Sequence, residues 1–444
     1  MILTERWDNS RRTMGSIFFN NRGKEQQDDP NSSGGENARE KTLILKEKEE
    51  FREAYLVLKN ATSRKFYEFS FELEDFPNIK IKTIRNIEET GLKFEENVIS
   101  GISTGGNVYD LDIEFYHIRD ENNSDLKRVQ LYVNADPKDL WKNIPGDTSA
   151  AFYKPDEVSW KGTFLDKKIV AASKRGRSHA HEGKFREDDF AVNQLPEGWN
   201  IISVSDGAGS AEMAREGSRL AVYSANEFFD SPFILQELEK NVKVIYNAAS
   251  GVHSEAEKNI TGILSESVRH VYKVLDKKAS EHSLSIKDFH ATLIFTLAKK
   301  FEFGYVFLSF GVGDCPINLI SPDFSEVKLL NRMDVGEFSG GTRFITMNEI
   351  FNDQMISRFG MTCVNDFSYL VLMTDGIYDP KFITENKLED PESWTTFFND
   401  LNGNNNDRIK VDFINDTDID RQLLQWADFW SRGNHDDRTL AIIY

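Results

Sequence analysis

Apolar runs that stop at aspartate, or start from it, recur along the last two-thirds of this chain, and they constrain its fold more than any other feature. ISVSDG ends on Asp206-Gly207, YLVLMTDG on Asp375-Gly376, and YVFLSFGVGD on Asp314. In the opposite direction, NHDDRTLAIIY sets Asp436 and Asp437 before an apolar run, and FREDDFAV sets Glu187, Asp188 and Asp189 before another. Taken singly, an Asp-Gly after a strand is a common turn. Taken together, the set is unusual. Buried strands hold their ends rigidly, so carboxylates converging there would repel one another by kcal/mol amounts. Hard divalent cations such as Mg²⁺ or Mn²⁺ accept such oxygen ligands. Zinc suits the set less, because Cys and His are sparse around it. The glycines let the backbone approach an ion closely.

Around these strand ends the pattern mixes helices and strands. AEMAREGSRLAVYSANEFF reads as a helix, and a second covers about 255–279. Ser254 with Glu257 fits a capping box there, and Ile260, Leu264, Val268, Val271 and Leu275 share one face. ATLIFTL and FGYVFLSF, separated by a charged turn at Lys299 and Lys300, read as a β-hairpin. YLVLM, a helix over DRQLLQWADFW with Trp426 and Trp430 in its core, and RTLAIIY complete the region. Runs of strands with a helix pair between them argue for α+β.

The acidic motifs then reach a known family. EDDFAV, SDGAGSA, GVGDCP, MTDG and DDRT, in that order, resemble the motif series of the type 2C metal-dependent serine/threonine protein phosphatases. HATLIFTL falls at the matching place, and GEFSGGTRFIT resembles a bacterial subgroup. The resemblance runs from about residue 165 to the C-terminus. It implies a β-sandwich of two antiparallel sheets flanked by helices, with a two-metal centre at one edge. It implies that Asp206 bridges two Mn²⁺ or Mg²⁺ ions, with the Gly207 carbonyl on one and Asp375 and Asp436 on the other. Glu187 and Asp188 would support the centre, and Asp314 with Asp375 would hold the third ion of bacterial members. Asp206, Asp375 and Asp436 are the catalytic residues on this reading. Two ions roughly 3.5–4 Å apart lower the pKa of a bridging water. The bridging hydroxide attacks phosphorus in line, and a phosphoserine or phosphothreonine oxygen leaves, so no protein nucleophile is required.

Two features common in the family are absent. Ala208 stands where a histidine often follows Asp-Gly, and Gly183 stands where a phosphate-binding arginine often precedes the acidic pair. His179, Arg177 and Arg186 are the nearby candidates for phosphate binding. Asp416, Asp418 and Asp420 resemble a calcium loop, but Arg421 occupies the glycine position and Ala427 the glutamate position, so they read as a solvated run. An aspartyl-nucleophile phosphohydrolase would need Asp-x-Asp, which Asp206-Gly207-Ala208 is not. No GxxxxGK[ST] run supports a nucleotide-binding enzyme. The alternative function is a catalytically weak phosphoprotein-binding or sensor module acting through an Ig-like domain in the N-terminal region.

That region divides by composition. Residues 1–45 are polar and charged, which predicts a disordered tail. Residues 46–140 carry short alternating runs (YLVLK, FYEFSFELE, IKIKTI, VYDLDIEFYHI, RVQLYVN) that predict a small all-β sandwich. Within it, GLKFEENVISGISTGGNVYDLDIEF resembles bacterial Ig-like modules. Residues 141–164 read as a linker, and 165–444 as the catalytic domain. The net charge of −19 repels nucleic-acid backbones. Cys315 and Cys363 cannot make a disulfide framework, and neither an apolar leader nor a span of about 20 apolar residues is present. The expectation is a cytoplasmic protein with no membrane or nucleic-acid partner. Its substrate would be a phosphorylated protein, and the family resemblance adds a serine/threonine kinase as a partner.

Overall fold

A computed structural model describes residues 33–136, 141–247, 253–334 and 341–444. The chain divides into two units, the second beginning at Trp141. The first unit opens with helix α1 (Ser33–Glu53). This differs from the expected tail, whose part before residue 33 lies outside the described residues. The polar composition hid a stripe: Ile44, Lys48 and Phe51, spaced four and three apart, are buried. Phe51 packs edge-on against Phe76 and Phe115, with centroids 5.2 and 4.7 Å away.

Seven strands follow: β1 (Ala61–Thr62), β2 (Phe66–Ser70), β3 (Ile79–Arg85), β4 (Leu92–Glu95), β5 (Val98–Ile102), β6 (Asn107–His117) and β7 (Asp120–Asn134). They form one sheet in the order β1-β7-β6-β3 and another in the order β2-β5-β4. Residues 55–59, expected as a strand, carry none; they drop Leu58 into the core instead. Along β7 from Lys127 onward burial alternates residue by residue. Leu111, Ile113, Phe115, Val129, Leu131 and Val133 point inward, while Arg128 pairs with Asp112 on the opposite face at 2.8 Å. The unit is therefore β-rich with a packed helix, rather than all-β.

The second unit runs β8 (Glu157–Phe164), β9 (Lys167–Lys174), α2 (Arg177–Glu182), β10 (Asp189–Gln194), β11 (Asn200–Ser205), α3 (Ala214–Phe229), α4 (Pro232–Asn247), α5 (His253–Glu281), β12 (Leu293–Phe301) and β13 (Gly304–Val312). It continues with β14 (Ile317–Ile320), β15 (Val327–Leu329), β16 (Phe359–Val364), β17 (Tyr369–Met373), α6 (Asp375–Phe382), α7 (Pro391–Leu401), α8 (Ile419–Trp426) and β18 (Arg438–Ile443). Two antiparallel sheets result, β10-β11-β12-β13-β16 and β15-β14-β17-β18-β9-β8.

The side-chain period of two sorts each strand between layers. Ile202, Val204 and Ile294 of one sheet meet Ile169, Leu370, Leu372, Ala441 and Ile443 of the other in the middle of the sandwich. The alternate residues Ile201, Leu293, Phe295 and Leu297 face α3, α4 and α5. Val170, Val371, Met373, Leu440 and Ile442 face α6, α7 and α8. Strands buried on both faces read as continuous apolar runs, which is why these were the most legible elements. Among the described residues, no helix is long and apolar enough to cross a membrane.

Several sequence expectations shift. The last eight residues of the expected linker are β8, an edge strand too exposed to show an apolar period. Lys299 and Lys300 lie inside β12, paired with Val306 and Tyr305; the turn falls two residues later. Ser254 lies within α5 rather than before it. Trp426 is buried, but α8 ends there, and Trp430 lies beyond the helix with its ring tilted against that of His435 at 4.8 Å. Residues 336–340 of GEFSGGTRFIT lie outside the described residues.

Candidate metal centre

Strand geometry brings the acidic motifs to one edge of the sandwich. Asp206 follows β11, and its backbone is clasped by Thr292 just before β12. Its N–H donates to Thr292 Oγ1 at 2.9 Å, and its carbonyl accepts the Thr292 N–H at 2.8 Å. Asp314 leaves β13, Asp375 opens α6 after β17, and Asp436 and Asp437 precede β18. Glu187 and Asp188 precede β10. Carboxylate oxygens of Asp206 and Asp314 lie within 4.8 Å of each other and of Cys315 Sγ. Asp436, Asp437 and His179 form a second group within the same limit.

Two glycines allow this convergence. A Cβ on Gly207 would lie 2.8 Å from the carbonyl oxygens of Glu187 and Ala214, and one on Gly376 would lie 1.8 Å from that of Asp437. The Asp-Gly pairs thus let loops pack backbone against backbone. Overpacking of this kind costs about 3 kcal/mol. Gly376→Ala is expected to lose roughly that much in denaturant unfolding; an unchanged midpoint would refute the close approach.

Asp188 ties the two sheets together. Its Oδ2 accepts from Thr374 Oγ1 at 2.7 Å and lies 2.7 Å from Thr439 Oγ1, while its Oδ1 is buried without a partner. Asp437 is the hub of the other side. It accepts from Gly176 N–H at 2.6 Å, from the Glu187 N–H, and from His179 Nδ1 at 3.0 Å. Asp314 accepts from Thr342 Oγ1 at 2.9 Å. Its turn is pinned by Asp334, which accepts the Gly313 N–H and holds buried Arg358 with two contacts of 2.8 Å.

The electrostatics follow from burial and like charge. Burial pushes Asp206 well above the usual carboxylate range, and Asp375, Asp188, Asp436 and Asp314 push it further. Asp375 rises for the same reasons, with Asp436 and Asp314 its nearest repulsions. Burial also raises Asp314 and Asp436. Burial carries Glu187 and Asp188 to about 7, with Asp437 adding to both and His179 opposing on Glu187. Asp437 behaves oppositely: burial resists its charge, but the His179 hydrogen bond and charge hold it below the ordinary range. Burial disfavours the His179 cation, yet Asp437, Glu187 and Asp436 outweigh it and lift the imidazole to about 9.

These residues fit a cation. Glu187 Oε2, Asp188 Oδ1 and Asp314 Oδ1 are buried with no hydrogen-bond partner, and the strongest influences on Asp206 after burial are all carboxylates. Two such charges 4.8 Å apart repel by roughly 3 kcal/mol at an effective dielectric of about 20. The oxygen-rich donor set suits Mg²⁺ or Mn²⁺.

Of the three phosphate-binding candidates, only His179 joins the centre. Arg177 donates to Asp428 Oδ1 at 2.7 Å and to the carbonyls of Asp428 and Phe429. Arg186 is buried, donating to Ser173 Oγ at 2.6 Å and to the Asp188 carbonyl. Both arginines brace the loops from behind. The sequence analysis missed Thr292, Thr374 and Thr439, which position the carboxylates, and Asp379, whose charge bears on Asp375. The i, i+4 spacing of Asp375 and Asp379 would have revealed the last had α6 been foreseen. Cys315 and His179 both sit among the carboxylates.

Residues 175–423 match the family model described as protein phosphatase 2C. The solved structure of serine/threonine phosphatase Stp1 from Staphylococcus aureus is 16% identical, with a TM-score of 0.37, over 64% of this chain and 95% of that one. The S. agalactiae serine/threonine phosphatase is 15% identical, with a TM-score of 0.37, over 64% of this chain and 99% of that one. The catalytic domain of serine threonine protein phosphatase PstP, solved in complex with two manganese ions, is 14% identical, with a TM-score of 0.36, over 65% of this chain and 97% of that one. No curated protein matches the chain. The family match covers more than half of the chain, and the chain belongs to the protein phosphatase 2C family.

Proposed function

We propose that this protein is a metal-dependent phosphatase acting on phosphoserine and phosphothreonine in proteins. The observation that carries the reading is the convergence of Asp206, Asp314, Asp375, Asp436 and Asp188 from separate strand ends, with buried oxygens left unpartnered. Asp206, with the Gly207 carbonyl beside it, and Asp375 and Asp436 would hold two ions, Glu187 and Asp188 would support them, and Asp314 with Asp375 would hold a third. Two Mn²⁺ or Mg²⁺ ions would supply an activated water at neutral pH and neutralise the phosphoryl oxygens.

The chain's own residues shape the rest. Asp437 orients His179 and fixes the Glu187 backbone. His179, which Asp437, Glu187 and Asp436 favour as the cation, is our candidate for contact with a phosphoryl oxygen. Its Nε2 lies 3.7 Å from Glu187 Oε2, so it bears on the supporting pair as well. Asp206 and Asp375 have only carboxylates among their strongest charged neighbours, which favours an ion-loaded enzyme over a binding module. The phosphoproteins it would act on are the products of a serine/threonine kinase, the class of partner this reading implies. The β-rich first unit would recruit or space that substrate.

The test is phosphate release from a phosphothreonine peptide. We expect turnover with Mn²⁺ or Mg²⁺ and loss of it in excess chelator, restored by adding the ion back. Equal rates with and without chelator would overturn the assignment.

A further inference from the structure

Residues 141–155, which the sequence marks as connecting chain, wrap the acidic centre from behind at both ends. At the first end, the Trp141 ring lies 4.5 Å from that of His435, the residue before Asp436, and 5.3 Å from that of His181 in α2. Lys142 N–H donates to His181 Nδ1 at 3.0 Å, and Ile144 N–H donates to the Ala180 carbonyl at 2.8 Å. Arg175 Nη2 donates to Asn143 Oδ1 at 2.7 Å. This end therefore fastens α2, which carries His179, and the loop that carries Asp436 and Asp437.

The second end grips the acidic turn itself. Lys154 is buried to 3% exposure. Its ammonium pairs with Asp189 at 2.9 Å and donates to Ser218 Oγ at 3.0 Å, the Arg215 carbonyl at 3.1 Å and the Glu187 carbonyl at 3.5 Å. Arg215 in turn donates to the carbonyls of Phe152 and Ala151 at 3.0 and 2.9 Å. Arg186 Nε reaches the Pro155 carbonyl at 3.2 Å. The Glu187 carbonyl that Lys154 holds is the one against which Gly207 packs. A buried ammonium is costly unless paired and hydrogen-bonded, and here every contact goes to the corner that positions Glu187, Asp188 and Asp206.

We infer that residues 141–155 form a strap that positions the metal ligands, with Lys154 and Trp141 as its two positioning residues. Neither side chain needs to touch an ion. Lys154 places its charge behind Asp189 and leaves Glu187 and Asp188 facing the centre. Trp141 fixes the approach of the Asp436 loop to α2. The inference rests on the metal-centre reading above.

The test measures Mn²⁺ binding to the full chain by calorimetry, with thermal unfolding alongside. Supporting contacts around metal sites typically change affinity by roughly 10- to 100-fold, and Lys154→Met is expected to weaken Mn²⁺ binding within that range. Trp141→Ala is expected to weaken it several-fold, and Trp141→Phe, which keeps a ring, to recover most of the loss. Leu423→Ala, a core truncation in the outer helical layer, is the control for a purely structural effect. It should lower stability and leave Mn²⁺ affinity within about twofold of the parent. Variants at 154 and 141 that bind Mn²⁺ like the parent, or no worse than Leu423→Ala, would overturn the strap. Should Lys154→Met fail to fold, the Trp141 pair decides alone. A parent protein that binds no Mn²⁺ would overturn the metal-centre reading instead, so the two failures are separable.

Discussion

Replacing Asp206 by asparagine should lower phosphate release at least ~1000-fold, about 4 kcal/mol of transition-state stabilisation. The reason is geometric. Asp206 follows β11, its backbone is held on both sides by Thr292, and it faces Asp375, Asp188, Asp436 and Asp314. Four carboxylates bear on it, as four bear on Asp375, which suits a residue that would hold cations. Asparagine keeps the size and the backbone hydrogen bonds but removes the charge that would hold two cations. The same change removes a source of repulsion. In chelator, therefore, the melting temperature of Asp206→Asn should equal or exceed that of the parent, the signature of a residue retained for activity at a cost in stability. Activity within tenfold of the parent, or a melting temperature clearly lowered in chelator, would contradict this role.

The second large effect is on stability against pH without metal. Glu187 has its pKa raised from 4.5 to about 7 by burial first and by Asp437 and Asp436 next. A group raised on folding binds more protons in the folded state. Its stabilising contribution is complete below pH 4.5 and is lost as pH rises to about 7. For Glu187 alone that amounts to about 3 kcal/mol. Asp188, also raised to about 7, acts in the same direction. His179, lifted to about 9, loses its own contribution only above pH 6.5. Asp437, held low, works the other way but only in the acid range. The metal-free protein should thus weaken between pH 4.5 and 7. Bound Mn²⁺ stabilises the folded state by mass action and answers the carboxylates' repulsion, so its increment in melting temperature should be larger at pH 7.5 than at pH 5. Metal-free stability that is flat or rising across this window, or an equal Mn²⁺ increment at both pH values, would count against the acidic centre.

Much of the catalytic unit was legible because its strands are buried on both faces. Continuous apolar runs such as 201–205, 305–312 and 369–373 admit few other readings, and their ends located Asp206, Asp314 and Asp375. α4 and α7 were not foreseen, and α1 was hidden in a polar segment whose stripe of Ile44, Lys48 and Phe51 is turned inward. Edge strand β8 was missed for the opposite reason: an exposed strand leaves no apolar period.

The residue order alone determined the motif series, the layered α+β fold and the identity of the acidic groups, because local patterns of hydrophobicity and charge dictate those directly. Which cations serve the centre was decided only by tertiary structure. Arg177, His179 and Arg186 all lie within ten residues of Glu187 in the chain, yet the arginines turn their donors to backbone carbonyls, Asp428 and Ser173 while His179 meets Asp437. Lys154 offered no signal in the sequence at all, and became part of the site because residues more than thirty positions apart share one buried corner. A side chain's direction is set by the partners that folding brings to it, and those partners are not its neighbours in the chain.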